Sequence, residues 1–348
     1  MREPAGLPTG LPTSVRAQPS VGGATLLPAT GAPHGSVSRA AAAILAATIL
    51  MGLRASLCAN GSWYCSRPRY RIVAPTVTRQ LIGGPTRATV DPDVPRHAAG
   101  YGFRIDPIGT HLSRTIMLKE LRALLAACPA TASTKDYRAV VVDDNLLAKP
   151  TASARRTTFD RLRELYALDP AIWLFRSLRD LWDTDQSAQP LLALLCATAR
   201  DPILRAMTAY VLSLPVGTRV TPQMLSEEAE RQYPGKFRPL VLAGLGRNAA
   251  SSWQQAGLLQ GRSNKERARP ESRPTSLAYA LLLGDLCGRR GAALFDTLWA
   301  RMLDAPAHLL REQAVAASRQ GWIEYRAAGD VVEVSFRHLT REEPRGGT

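Results

Sequence analysis

Between Thr115 and Leu214 the chain alternates repeatedly between apolar residues at helical spacing and capping or breaking residues. That rhythm admits little except a bundle of short helices. Met117, Leu118, Leu121, Leu124, Leu125 and Cys128 make the first stripe. Thr134 can cap a second helix through Tyr137, Val140, Val141 and Val142, with Asp143-Asp144-Asn145 as its stop. Thr151 or Ser153 opens a third, with Phe159, Leu162, Leu165 and Tyr166 on one face. Asp169-Pro170 and Asp201-Pro202 are start signals, since an Asp carboxylate accepts first-turn N–H bonds and Pro lacks an N–H that this turn could not use. The first leads into Trp173–Trp182 and the second into Ile203–Leu214, with Ser187 opening Leu191–Ala199 between them. The spacing predicts a mainly α protein whose helical bundle spans 112–214.

Residues 215–274 read differently. Arg219-Val220 is a short strand, and Thr221-Pro222 caps a helix that ends near Tyr233-Pro234-Gly235. A second helix is expected from Pro239 to Ala256, stopped by Gly257. Leu258-Leu259 starts an extended stretch, and Gly261 to Pro274 is a basic loop. This is the order of a winged helix-turn-helix. Val241, Leu242, Leu245, Ala249, Trp253 and Ala256 share one side of the second helix; Ala243, Gly244, Arg247, Ser251, Gln254 and Gln255 share the other, with Leu240 as a blemish. The outward side carries no carboxylate, and Arg and Gln are the side chains that pair bidentately with guanine and adenine edges. Gly244 and Gly246 weaken the helix or mark a break. The candidate nucleic-acid contacts are Arg238, Arg247, Asn248, Ser251, Gln254 and Gln255 on or beside this helix. Arg262, Lys265, Arg267 and Arg269 join them from the loop, where cations would lie on phosphates.

Residues 275–342 hold apolar helices at Leu277–Leu283 and Leu294–Leu303, a further helix at Pro306–Gln320, and a β-hairpin. The hairpin is marked by Trp322–Arg326 and Val331–Phe336 around Gly329-Asp330. This second winged-helix-like unit has a surface of mixed sign, and a packing role is the first expectation for it. Residues 1–111 hold 12 of the 25 prolines and no lysine, and are expected to be a disordered extension or a start called too early. Ala40 to Leu53 is an apolar run of 14 residues. That is short of the roughly 20 that a span requires, so membrane attachment is the weaker reading.

The formal net charge of +15 favours a polyanionic partner, although only five of the 44 basic residues are lysine. An arginine habit of the genome would raise the charge without a ligand, so position matters more than the sum. The five cysteines are scattered without a CxxC pair, which gives no metal site and fits a reducing cytoplasm. No Walker loop, dinucleotide fingerprint, nucleophile elbow or HExxH occurs, and the five histidines are separated in sequence. Neither an enzyme nor a cofactor or small-molecule substrate is expected. Asp143-Asp144 reads as a turn and Asp201 as an N-cap.

The stretch Asp144-Asn145-Leu146-Leu147-Ala148-Lys149-Pro150-Thr151-Ala152-Ser153-Ala154-Arg155-Arg156 resembles an early segment of the BrxA family of BREX phage-defence systems. The helical run after it is similar too, and the likeness spans roughly residues 112–260. The resemblance implies a NusB-like helical fold and a non-catalytic, DNA-associated component working with other proteins of a defence complex. Members are also described as inner membrane proteins. A related component of another defence island would look alike, and the Arg247–Trp253 stretch and C-terminal hairpin are not placed among that family's features. It would put Lys149, Arg155 and Arg156 on the nucleic-acid side. Cations at a helix start oppose the dipole, and a phosphate partner would relieve that mismatch. A protein-interaction adaptor is the alternative reading.

Overall fold

The computed structural model describes residues 93–106, 109–329 and 331–341, and the chain in these stretches is mainly helical with a few small antiparallel strands. Helices α1 (Leu118–Ala127), α2 (Thr134–Arg138), α3 (Ala152–Tyr166), α4 (Trp173–Trp182), α5 (Gln189–Arg200), α6 (Pro202–Ala206) and α7 (Thr208–Ser213) come first. Strand β1 (Arg219–Val220), α8 (Pro222–Gln232), α9 (Pro239–Gln255), β2 (Leu259–Gln260) and β3 (Lys265–Arg267) follow. Then come α10 (Pro274–Leu286), α11 (Leu298–Arg301), α12 (Ala307–Arg319), β4 (Glu324–Ala328), β5 (Val331–Ser335) and α13 (Arg337–Thr340). Strands β1, β3 and β2 form one antiparallel sheet in that order, and β4 pairs with β5 in a hairpin.

Local chemistry accounts for most helix starts. Thr151 accepts from the Ala154 N–H, Asp201 from those of Ile203 and Leu204, and Thr221 from that of Met224. Ser133 rather than Thr134 caps α2, in a reciprocal box with Asp136. Helix α10 is apolar on every side, and such a helix must be surrounded. Its residues from Thr275 to Gly284 are all buried, and it packs against α4, α5, α11 and α12. One buried cluster therefore runs from Val94 to Leu339. The segments 112–214, 215–274 and 275–342 contribute to a shared core.

Among the described residues before 112, some are packed into the core, contrary to expectation. Ala98, Thr110 and His111 are buried in two 3₁₀ turns, Arg96–Tyr101 and Thr110–Leu112, and Val94 and Phe103 are buried beside the first. No 3.6-residue stripe marks such turns, so periodicity missed them. Phe103 meets Trp299 edge-on at 5.6 Å. Arg104 donates its backbone N–H to Ala199 O at 3.2 Å, and the buried Arg205 guanidinium holds Arg104 O at 2.9 Å. Ala40–Leu53 lies outside the described residues, and among those described no helix is long and apolar enough to cross a membrane.

Helix α9 is continuous through both of its glycines. They have opposite roles. A Cβ on Gly246 would fall 2.1 Å from Pro222 O and 2.3 Å from Ser226 Oγ, so this glycine lets α8 and α9 approach closely. A Cβ on Gly244 would meet nothing nearer than an Arg247 guanidinium nitrogen at 3.9 Å. Gly244→Ala should raise stability by about 0.5–1 kcal/mol through helix propensity. Gly246→Ala should cost about 1–3 kcal/mol through overpacking. Denaturant melts of the two variants check the pair, and equal effects would contradict the close approach.

Candidate nucleic-acid interface

Helix α9 packs on α8, with Gly246 at the close approach, and Leu245, Gly246, Ala249, Ala250 and Trp253 are all buried. The other side carries exposed Leu240 and Arg247, with Ser251 and Gln254 half-buried. Arg247, Ser251 and Gln254 lie at i, i+4 and i+7, so they share a face. Among the described residues their side chains have no hydrogen-bond or ion-pair partner. Arg238 is exposed at the start of the helix, and Arg262 is exposed in the β2–β3 loop. Lys265 is half-buried, with its Nζ donating to Arg262 O at 2.9 Å.

Several of the expected contacts have partners within the protein. Arg267 is 1 % exposed. Its guanidinium donates to Val211 O at 3.0 Å, Leu258 O at 3.3 Å and Ala268 O, and pairs with Asp304 Oδ2 at 2.9 Å. The expected basic loop is partly strand β3. Side chains alternate along a strand, so exposed Glu266 is followed by inward-facing Arg267. Lys149 pairs with Glu120 at 3.2 Å, and Arg155 donates to Val142 O at 2.8 Å, capping the π-helical turn Ala139–Asp143. Arg156 is exposed. Other arginines also serve as internal clamps. Buried Arg179 donates to Leu125 O and Cys128 O, and Arg205 to Thr198 O and Ala199 O. Part of the arginine excess thus satisfies carbonyls left open at chain ends and turns.

A third side of α9 is a polar seam. Asn248, Ser252 and Gln255 stand at i, i+4 and i+7 and fasten residues 111–118. Asn248 Nδ2 donates to His111 O at 3.0 Å. Ser252 Oγ accepts from the Ile116 N–H at 3.0 Å, and Gln255 Oε1 from the Leu118 N–H at 3.1 Å. Asn248 and Gln255, both expected to face a ligand, are instead anchors. Their hydrogen-bonding character answers to a neighbouring chain with open backbone groups.

His111 lies at the centre of this seam and is fully buried. Nδ1 is 2.8 Å from Asp201 Oδ2, and Nε2 is 2.8 Å from Ser252 Oγ. Asp201 Oδ2 also accepts the His111 backbone N–H at 3.0 Å, while Oδ1 caps α6. Burial alone would raise the Asp201 carboxyl. The charge and hydrogen bond of His111, with the backbone N–H groups of His111 and Leu204, outweigh it and hold the carboxyl below the ordinary carboxylate range. Gly109 completes the contact, because a Cβ there would fall 2.0 Å from Asp201 Oδ1. The Asp–His–Ser order is that of a nucleophile relay. Here, however, Ser252 is fully buried and its hydroxyl donates to Asn248 O at 2.8 Å within its own helix. The trio is a tie between α9, the start of α6 and the segment before α1. No sequence motif marks the trio, since the partners of His111 lie 90 and 141 residues away.

Among the described residues no group of three His, Cys, Asp or Glu side chains could hold a metal ion. No family model matches the chain, and no curated protein matches it.

Proposed function

We propose that the protein binds double-stranded DNA, with α9 as the recognition helix of a winged-helix unit and the β2–β3 loop as its wing. The observation that carries this reading is the free face of α9: Arg247, Ser251 and Gln254 in one row, unpaired and without a carboxylate among them. Ser251 and the small residues Ala243 and Gly244 permit close approach to a groove floor, and Arg247 suits a guanine edge. Arg262 at the tip of the hairpin suits a phosphate. The strand–helix–helix–strand–strand order and the β1-β3-β2 sheet support the winged-helix description. The resemblance to the BrxA family supports a role as a non-catalytic component of a BREX-like phage-defence system, acting beside other proteins in the cytoplasm. Arg156 is the residue of the resembling segment still available to nucleic acid.

Fluorescence anisotropy with a labelled duplex across a sodium chloride series tests the reading. Affinity is expected to fall as salt rises, because bound phosphates release counterions. Arg247→Ala with Arg262→Ala should weaken binding by about tenfold or more and flatten the salt slope by roughly one unit, for the single phosphate contact at Arg262. Binding by the double variant equal to wild type would overturn the assignment.

A further inference from the structure

A surface cavity of about 540 Å³ lies between α7 and the start of α12, lined by Ser213, Arg269, Arg301, Asp304 and Pro306 among others. Arg269 and Arg301 are both exposed, and neither guanidinium has an ion-pair or hydrogen-bond partner among the described residues. The one carboxylate in the lining, Asp304, already faces the buried Arg267 guanidinium at 2.9 Å. Its charge is therefore met from behind, and the cavity presents two uncompensated guanidinium groups. We propose that this cavity is an anion site that takes a phosphate group, with Arg269 and Arg301 as its two clamps. Two arginines in the lining of one concavity suit the oxygens of a phosphate better than isolated surface cations do. Apolar Leu212 and Pro306 in the same wall give room for a group attached to the phosphate.

The site is distinct from the α9 face. Register pairs Leu259 with Arg267 and Gln260 with Glu266, so Arg262 lies at the tip of the β2–β3 hairpin and Arg269 beyond its base. The phosphate can come from a free phosphorylated small molecule or from the backbone of a nucleic-acid segment running past the base. The inference does not depend on α9 contacting DNA.

Isothermal titration of the full chain with pyrophosphate, at constant ionic strength, tests it. Wild type and the Arg247→Ala variant should bind saturably with equal affinity. Arg269→Gln with Arg301→Gln should lose tenfold or more, with an unchanged melting temperature to show that the fold is intact. The same double variant is then titrated with duplex across a salt series. A slope equal to wild type beside lost pyrophosphate binding identifies a small phosphorylated ligand. A slope smaller by about two units identifies a nucleic-acid backbone. If the double variant matches wild type in both titrations, the site does not exist.

Discussion

Arg267→Ala should lower the unfolding free energy by about 3–5 kcal/mol, the cost of breaking a buried charged pair from one side. The guanidinium is 1 % exposed and holds three carbonyl oxygens and the Asp304 carboxylate. Alanine removes a charge-assisted hydrogen bond from each of those carbonyls and the partner of the Asp304 carboxylate, and Val211 O and Leu258 O keep only their backbone donors from Leu214 and Ala268. The loss is a large fraction of the roughly 5–15 kcal/mol by which a typical domain is stable. Arg262→Ala, on the exposed tip of the same hairpin, should leave the urea midpoint within experimental error. Equal midpoints for the two variants would show that Arg267 is not the clamp described above. The contrast matters because both side chains are arginines of one basic stretch and are indistinguishable by composition.

His111→Ala should cost a similar amount, about 3–5 kcal/mol, since it strands the buried Asp201 carboxylate. It also removes the link between Asp201 and Ser252, so α9 loses its side-chain tie to the start of α6. The pair carries a pH signature. The folded-state value of Asp201 lies below its unfolded value of about 3.9. Its contribution is therefore fully present above about pH 4 and is lost as pH falls through the folded value. Melting temperatures of wild type should drop below about pH 4 more steeply than those of Asp201→Asn, which has no carboxylate to protonate there. Parallel curves would contradict an ionised Asp201 in the folded protein.

The helical bundle was legible because caps and stripes agreed: Thr151, Asp201 and Thr221 each cap the helix that follows. The inner and outer faces of α9 were legible for the same reason, as buried Leu245, Ala249 and Trp253 recur at helical spacing. A wheel, however, gives two faces, and α9 has three kinds of neighbour. Asn248, Ser252 and Gln255 lie on the border between apolar and free sides, and the signal was their common i, i+4, i+7 spacing. Residues 93–111 were not legible, because 3₁₀ turns and extended chain carry no long period. The core that the three segments share is not marked by periodicity within any one of them. The available sign was the uniform apolarity of Leu277–Leu283, which no two-layer unit could have covered on all sides.

The proposed function requires the free face of α9 to be the surface that meets DNA. A photo-crosslinking side chain placed at Ser251, on the free face of α9, and separately at Arg326, exposed on the C-terminal hairpin, measures this directly. Covalent capture of a duplex from position 251 and not from 326 is the expected result. Capture from 326 alone, or from neither position when the wild type binds, would contradict α9 as the recognition helix.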